Sequence, residues 1–213
     1  MRTENLTALL AANLEPVDSR RTMRRYVLGI TAGALAALIL TGGVLHLNPA
    51  LPHEVSEPAF WVRELYCASL GTLAVFVVAR LARPGARLGL LPAGIAAIVL
   101  VMWILAATTL FSAASQNRVH LLLGTTYAVC PFLIAFNAAP LFLSFLWILK
   151  GLAPTRLRWA GAGAGFATGS VGALVYTVHC PELTTPFIGT WYLMGMLIPA
   201  SIGAWLGPRL LRW

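Results

Sequence analysis

The sequence predicts an all-α membrane protein, a six-transmembrane-helix bundle with a short cytoplasmic N-terminal amphipathic helix. Of its 213 residues, 59% are hydrophobic and only 10% are charged, whereas about a quarter of the residues in a soluble domain are charged. Six apolar runs can be read along the chain, each long enough to cross the hydrocarbon core of a bilayer. Lys and Arg cluster in alternate gaps between these runs, the pattern typical of polytopic membrane proteins.

The apolar runs place the predicted spans. They cover roughly residues 26–46, 62–80, 88–111, 121–149, 159–178 and 187–207. The fourth run is too long for one span. A span that ends at Lys150 would begin near Cys130, with residues 116–129 mostly at the outer interface and Pro131 near the helix start.

The basic residues orient the bundle. Of the 15 Lys and Arg residues, only Arg63 and Arg118 fall outside the basic gaps, which leaves 13 on one side. By the positive-inside rule this side is the cytoplasm of a bacterial inner membrane and contains both termini. The opposite gaps hold His46, His53, His120, Cys130, His179 and Cys180. This separation suggests a signal received outside and answered inside.

Residues 1–25 are predicted to form a separate cytoplasmic segment, and residues 26–213 the membrane domain. The segment has apolar residues at helical spacing: Leu6, Leu9, Leu10 and Leu14. Pro16 would end this helix, which is too short to be stable alone in water. An interfacial helix usually carries basic residues on its polar face, but no Lys or Arg lies between Arg2 and Pro16. A protein partner is therefore favoured over the bilayer surface.

The distribution of charge argues against two function classes. The net charge of +8 is explained by clusters that flank the spans and contact lipid headgroups, so direct nucleic-acid binding is not expected. Span interiors lack charged residues apart from the pair Arg63–Glu64 at the outer end of span 2, which disfavours an ion-coupled transporter.

In span 5, Gly161, Gly165 and Gly169 form a small-residue row that predicts close packing within the bundle.

Two cysteines at the outer ends of spans are the candidate chemical groups. Cys130 and Cys180 could approach each other, and His179 and Glu182 flank the second thiol with residue types that ligate soft or borderline metals. The alternative is that the thiols are small apolar filler groups. Cys67, inside span 2, is predicted to pack in the core. An aromatic belt is predicted at the outer interface from Trp61, Tyr127, Trp191 and Tyr192.

The C-terminal part of the chain resembles the NrsF family. The resemblance is carried by His179-Cys180-Pro181-Glu182, by Trp191-Tyr192 and Gly195 that follow it, and by the closing segment from Leu206 to Trp213. The opening segment from Thr3 to Val17 is similar to the family's short cytoplasmic segment. The resemblance extends over essentially the whole chain, and the His-Cys-Pro-Glu motif with its aromatic pair is its most specific part.

The resemblance implies a six-span bacterial membrane anti-sigma factor without enzymatic activity. The N-terminal segment would hold an extracytoplasmic-function sigma factor. Cys130 and Cys180 would form a periplasmic sensor of heavy metals or oxidative stress, with His179 and Glu182 as candidate accessory residues. No cofactor would be required, although a soft-metal ion could bind transiently at the cysteines. Two alternatives from other classes are a membrane thiol oxidoreductase, for which the chain lacks a C-x-x-C pair, and a metal transporter.

The charge asymmetry predicts that both termini are cytoplasmic. A phosphatase that is active only in the periplasm, fused after Trp213, should therefore be inactive, whereas a fusion in the loop that contains His53 should be active. Enzyme activity in cells carrying each fusion measures the topology directly. An active C-terminal fusion would contradict the predicted orientation.

Overall fold

A computed structural model of the chain describes residues 19–83, 85–152 and 154–212, and this part of the chain is helical without strands. The helices are α1 (Ser19–Leu40), α2 (Leu51–Glu54), α3 (Pro58–Leu81), α4 (Leu91–Ser112), α5 (Ser115–Leu123), α6 (Cys130–Lys150), α7 (Leu157–Tyr176), α8 (Thr185–Phe187) and α9 (Leu193–Leu210). Two π-helical turns continue these helices, Thr41–Leu45 after α1 and Ile188–Tyr192 between α8 and α9. The predicted all-α class is confirmed for the described residues.

Five helical segments of the described chain are long and apolar enough to cross a membrane. They are Val27–Leu45, Pro58–Leu81, Leu91–Ser112, Cys130–Lys150 and Thr185–Leu210. Helix α7 has 20 residues but is not among them, because its many glycines lower its hydropathy. It lies between other helices, where small residues are useful for packing. Five spans are therefore compatible with membrane insertion, and the count of six stays a prediction.

The helix bounds agree closely with the prediction for the fourth span and less closely with the prediction for the first. Helix α6 begins at Cys130 and ends at Lys150, with Pro131 in its first turn, as the length argument predicts. Helix α1 begins at Ser19, before the predicted start of span 1 at residue 26. The predicted amphipathic helix and its four leucines lie outside the described residues.

Helix α7 lies at the centre of the bundle. It packs against α9, α6 and α3, while α1 packs mainly on α6 and α4 packs on α3 and α8. Gly161 lies in backbone contact with Gly203 of α9, and a Cβ atom at Gly165 would collide with the carbonyl group of Pro199. The glycine row therefore packs α7 against α9 at backbone distance, which confirms the predicted packing within the bundle.

We expect Gly165→Ala to destabilise the bundle by about 1–3 kcal/mol, because the added methyl group meets backbone atoms that cannot rotate away. Gly43→Ala is the matched control, since a Cβ atom at Gly43 has no neighbour within 4 Å. Denaturant titration of both purified variants in detergent gives the comparison. Equal stability of the two variants would show that the contact between α7 and α9 is looser than described.

Candidate functional site

A pair of buried thiols lies at the end of the bundle opposite the basic clusters, which is the predicted outer end. Cys130 is the first residue of α6, and Cys180 lies in the loop between α7 and α8. Their side chains are close enough to interact with each other, and both cysteines are free and fully buried. Cys67 of α3 is buried in the same apolar cluster, as predicted for a packing residue. The structure thus brings together the two cysteines that the sequence singles out.

The surroundings of Cys180 favour its thiolate. The neighbouring Cys130 thiol lowers the pKa of the Cys180 thiol, against the opposing effect of burial. The neighbouring Tyr192 hydroxyl, the backbone N–H of Glu182 and the charge of Arg63 act in the same direction as Cys130. Because the thiolate is both the nucleophile and the metal ligand, these neighbours favour the reactive form of Cys180.

An arginine clamps the loop that carries Cys180. Arg63, on α3, has no exposed surface. Its Nη1 donates to the carbonyl oxygens of Cys180 at 2.8 Å and Glu182 at 2.9 Å, and its Nη2 donates to that of Thr177 at 3.0 Å. Three carbonyl groups of one loop are therefore held by a single side chain, which fixes the loop against α3.

The positive charge of Arg63 is balanced by two carboxylates. Glu54 of α2 lies 3.8 Å from Nη2, and Glu64 lies 4.0 Å from Nε. Asn48 donates to Glu54 at 2.6 Å, and the Phe60 ring centre lies 5.2 Å from the guanidinium carbon. Sequence reasoning noted the Arg63–Glu64 pair but assigned it no role. The pair itself could have indicated a specific role, because charged residues at the end of an apolar run are costly to bury and are usually retained for a function.

The two candidate accessory residues are engaged elsewhere. Nδ1 of His179 donates to the carbonyl oxygen of His46 at 2.8 Å. Oε1 of Glu182 accepts hydrogen bonds from the backbone N–H and the hydroxyl of Thr125, each at 2.7 Å. Among the described residues, no group of three or more His, Cys, Asp and Glu side chains could hold a metal ion. A metal at this site would therefore rely on the two sulfur atoms, fewer than the four ligands of a structural zinc site.

The four residues of the predicted aromatic belt differ in exposure, and one of them, Tyr192, is not at the surface. Trp61 and Tyr127 are exposed at the outer end, and the indole N–H of Trp191 donates to the carbonyl of Leu122 at 2.8 Å. Tyr192, in contrast, is fully buried in the apolar cluster that contains the thiol pair. Its position in a π-helical turn after α8 turns the ring inward, which the aromatic pattern alone does not reveal.

We expect Arg63→Met to destabilise the protein by about 3–5 kcal/mol, because it leaves two carboxylates and three carbonyl groups without their buried partner. The loop would then loosen, and Cys180 should react faster with a maleimide, because access to a thiol without exposed surface limits the rate more than the loss of the nearby positive charge. Arg118→Met is the matched control at an exposed arginine and should change stability by less than about 0.5 kcal/mol. Unchanged stability and thiol reactivity in the Arg63 variant would contradict the clamp.

The comparisons with known proteins cover the whole chain. The family described as "Negative regulator of sigma F" (NrsF) matches residues 10–213. The "Probable anti-sigma-F factor NrsF" of Azospira oryzae is 44% identical over 213 residues, and the "Anti-sigma-F factor NrsF" of Caulobacter vibrioides is 37% identical over 216 residues; each match covers 100% of both chains. No solved structure matches the chain. From this full-length similarity, and from the match that extends from residue 10 through the thiol loop to the last residue, we conclude that the chain belongs to the NrsF family.

Proposed function

We propose that the protein is an anti-sigma factor of the bacterial inner membrane. It holds an extracytoplasmic-function sigma factor through residues 1–25 and releases it when the periplasmic thiol pair meets a heavy metal or an oxidant. The observation that carries the proposal is the full-length similarity to two proteins named as anti-sigma-F factors. The buried thiol pair supports the sensing part, because it places a reactive group opposite the predicted cytoplasmic segment.

The partner would bind the apolar stripe of the N-terminal segment. An amphipathic helix with leucines at helical spacing fits the helix-in-groove mode of recognition. The segment leads directly into α1, which begins at Ser19. Any translation of α1 along its axis, or rotation about that axis, would therefore move the point where the partner-binding segment joins the helix.

The thiol pair would act as a switch in one of two ways. Oxidation to a disulfide, with two electrons passed to the oxidant and two protons released, would replace the non-covalent contact with a covalent bond of about 2.0 Å between the sulfur atoms. A soft metal ion would instead be ligated by the two thiolates and displace their protons. Either event changes the separation of Cys130 and Cys180, and so changes the position of the start of α6 relative to the loop.

Helix α6 provides a route from the thiols to the cytoplasmic side, because α1 packs along it. Gly33 of α1 lies against Leu141, so close that a Cβ atom would be 2.9 Å from the Leu141 Cα atom. Near the outer end, Asn137 of α6 donates a buried hydrogen bond of 2.6 Å to the hydroxyl of Thr41. These contacts join α1 tightly to the helix that begins with a sensor cysteine.

A second link joins the outer end of α1 directly to the thiol loop. The carbonyl of His46 accepts from His179 at 2.8 Å, and the backbone N–H of Asn48 donates to the carbonyl of Val178 at 3.0 Å. The helix that begins with Cys130 thus contacts α1, and the loop that carries Cys180 contacts the segment that follows α1 and its π-helical turn. Two arrangements of these contacts, each preferred by one ligand state, would couple the thiol state to sigma-factor affinity.

We expect Leu9→Asp or Leu10→Asp to weaken capture of the sigma factor strongly, because each places an unpaired charge in an apolar contact at a cost on the order of several kcal/mol. Ala8→Asp is the matched control, since helical spacing puts residue 8 on the opposite face. Pull-down of the purified sigma factor by the full-length variants measures the effect. Full capture by a chain that lacks residues 1–25 would exclude this segment as the binding element.

We expect Cys130→Ser with Cys180→Ser to leave sigma-factor capture intact and to blunt its release under metal or oxidant stress. The substitutions remove the responsive groups but lie at the end of the bundle opposite the N-terminal segment. Cys67→Ala is the control for a buried cysteine outside the pair. A release assay with reporter transcription distinguishes the variants, and a reductant should reverse a disulfide-based response. Normal release from the double variant would remove the thiols from the mechanism.

A further inference from the structure

A groove opens between α7 and α9 at the end of the bundle that carries the basic residues. Its volume is about 460 Å³, and it is lined by Arg158, Trp159, Ala162, Ser201, Ala204 and Trp205. The backbones of the two helices touch at Gly161 and Gly203. The small residues beside this contact leave a channel, while the two tryptophan rings are 67% and 63% exposed and project beyond it.

The groove is positively charged at one end and apolar toward the other. Arg158 lines it, and the guanidinium carbon of Arg209 lies 4.3 Å from the centre of the Trp205 ring. Both arginines are exposed, and no Asp or Glu is among the lining residues. Helix α7 begins here without an acidic residue in its first turn and without a side-chain cap, so its positive dipole end adds to the attraction for an anion.

The polarity follows the depth of the membrane. The helices run antiparallel, since the start of α7 contacts the end of α9 at Leu157 and Gly207. Ala162 and Ser201 therefore lie deeper along the helices than the two arginines. Tryptophan rings at the boundary are typical of the headgroup level of a bilayer. The groove thus has a basic, aromatic mouth and an apolar continuation. This arrangement is complementary to a phospholipid, which has an anionic headgroup and apolar acyl chains.

We propose that this groove binds one anionic phospholipid of the cytoplasmic leaflet, with the headgroup phosphate at Arg158 and Arg209 and an acyl chain over Ala162, Ser201 and Ala204. Basic pockets between transmembrane helices on the cytoplasmic side recognise such headgroups. The proposal rests on the membrane orientation stated under the proposed function. It goes beyond that function, because it assigns a ligand to a surface far from the thiols and from the N-terminal segment.

The experiment measures lipid retention by the full-length protein. Native mass spectrometry would count phosphatidylglycerol and phosphatidylcholine molecules bound after exchange into mixed micelles of both lipids. The test variant is R158Q/R209Q. The matched control is R83Q/R87Q, which removes two positive charges from the same side of the bundle at residues that do not line the groove. Size-exclusion chromatography and circular dichroism would establish that each variant is folded.

We expect the wild-type protein and R83Q/R87Q to retain phosphatidylglycerol in preference to phosphatidylcholine. R158Q/R209Q should lose this preference, with an affinity lower by about tenfold or more for the two missing charges. Ala204→Phe should also reduce retention, because it fills the apolar part of the groove without changing its charge. This second variant tests the site independently of the arginines.

Three results would overturn the proposal. One is equal retention by R158Q/R209Q and the wild-type protein, and another is an equal loss in R83Q/R87Q. The third is displacement of the lipid by millimolar glycerol phosphate, which would identify a site for a soluble anion. Capture of the sigma factor by the same proteins tests the proposed function separately. Capture lost in every protein while lipid is retained would count against the proposed function and not against the lipid site.

Discussion

The buried guanidinium of Arg63 is the interaction on which the outer end of the bundle depends. A charge without exposed surface needs compensating partners, and the two Nη groups of Arg63 find them in the carbonyl groups of Thr177, Cys180 and Glu182. Its Nε has no hydrogen-bond partner among the described residues and lies 4.0 Å from Glu64. These groups lie just beyond the C-terminal end of α7, where carbonyls lack helical partners and a cation is favoured. The clamp thereby sets the path of the loop and places the second thiol next to Cys130.

Backbone contact between helices is the second constraint, and it acts on the same site. The glycines of α7 allow α9 to approach on one face, and Gly172 allows α6 to approach on another, with a Cβ atom there only 2.8 Å from the backbone nitrogen of Ala138. Because α6 begins with Cys130 and α7 leads into the loop with Cys180, the separation of the thiols depends on this packing. A larger residue between the helices would move the two cysteines apart.

The loop between α7 and α8 connects these constraints to the rest of the molecule. Within it, His179 reaches the end of α1, Glu182 holds the loop before α6 through Thr125, and Thr184 donates to the carbonyl of Leu121 at 2.9 Å. His179 and Glu182, the candidate accessory residues, anchor backbone groups in this structure. A change at the thiols cannot be absorbed by a free loop, because this loop has several fixed contacts. That property fits the role in signal transmission that we propose for this loop.

The sequence by itself determined the all-helical class, the bounds of α6, the glycine row of α7 and the candidate thiols, and its resemblance to the NrsF family agrees with the full-length match. Such features depend on local composition and spacing, which a single chain displays directly. Only the tertiary structure decided that Cys130 meets Cys180, that Tyr192 is buried, and that Arg63 holds a loop 117 residues away from it at Cys180. Those contacts depend on how each helix is rotated against its neighbours. Rotation is fixed by the shapes of facing surfaces, which no single helix encodes.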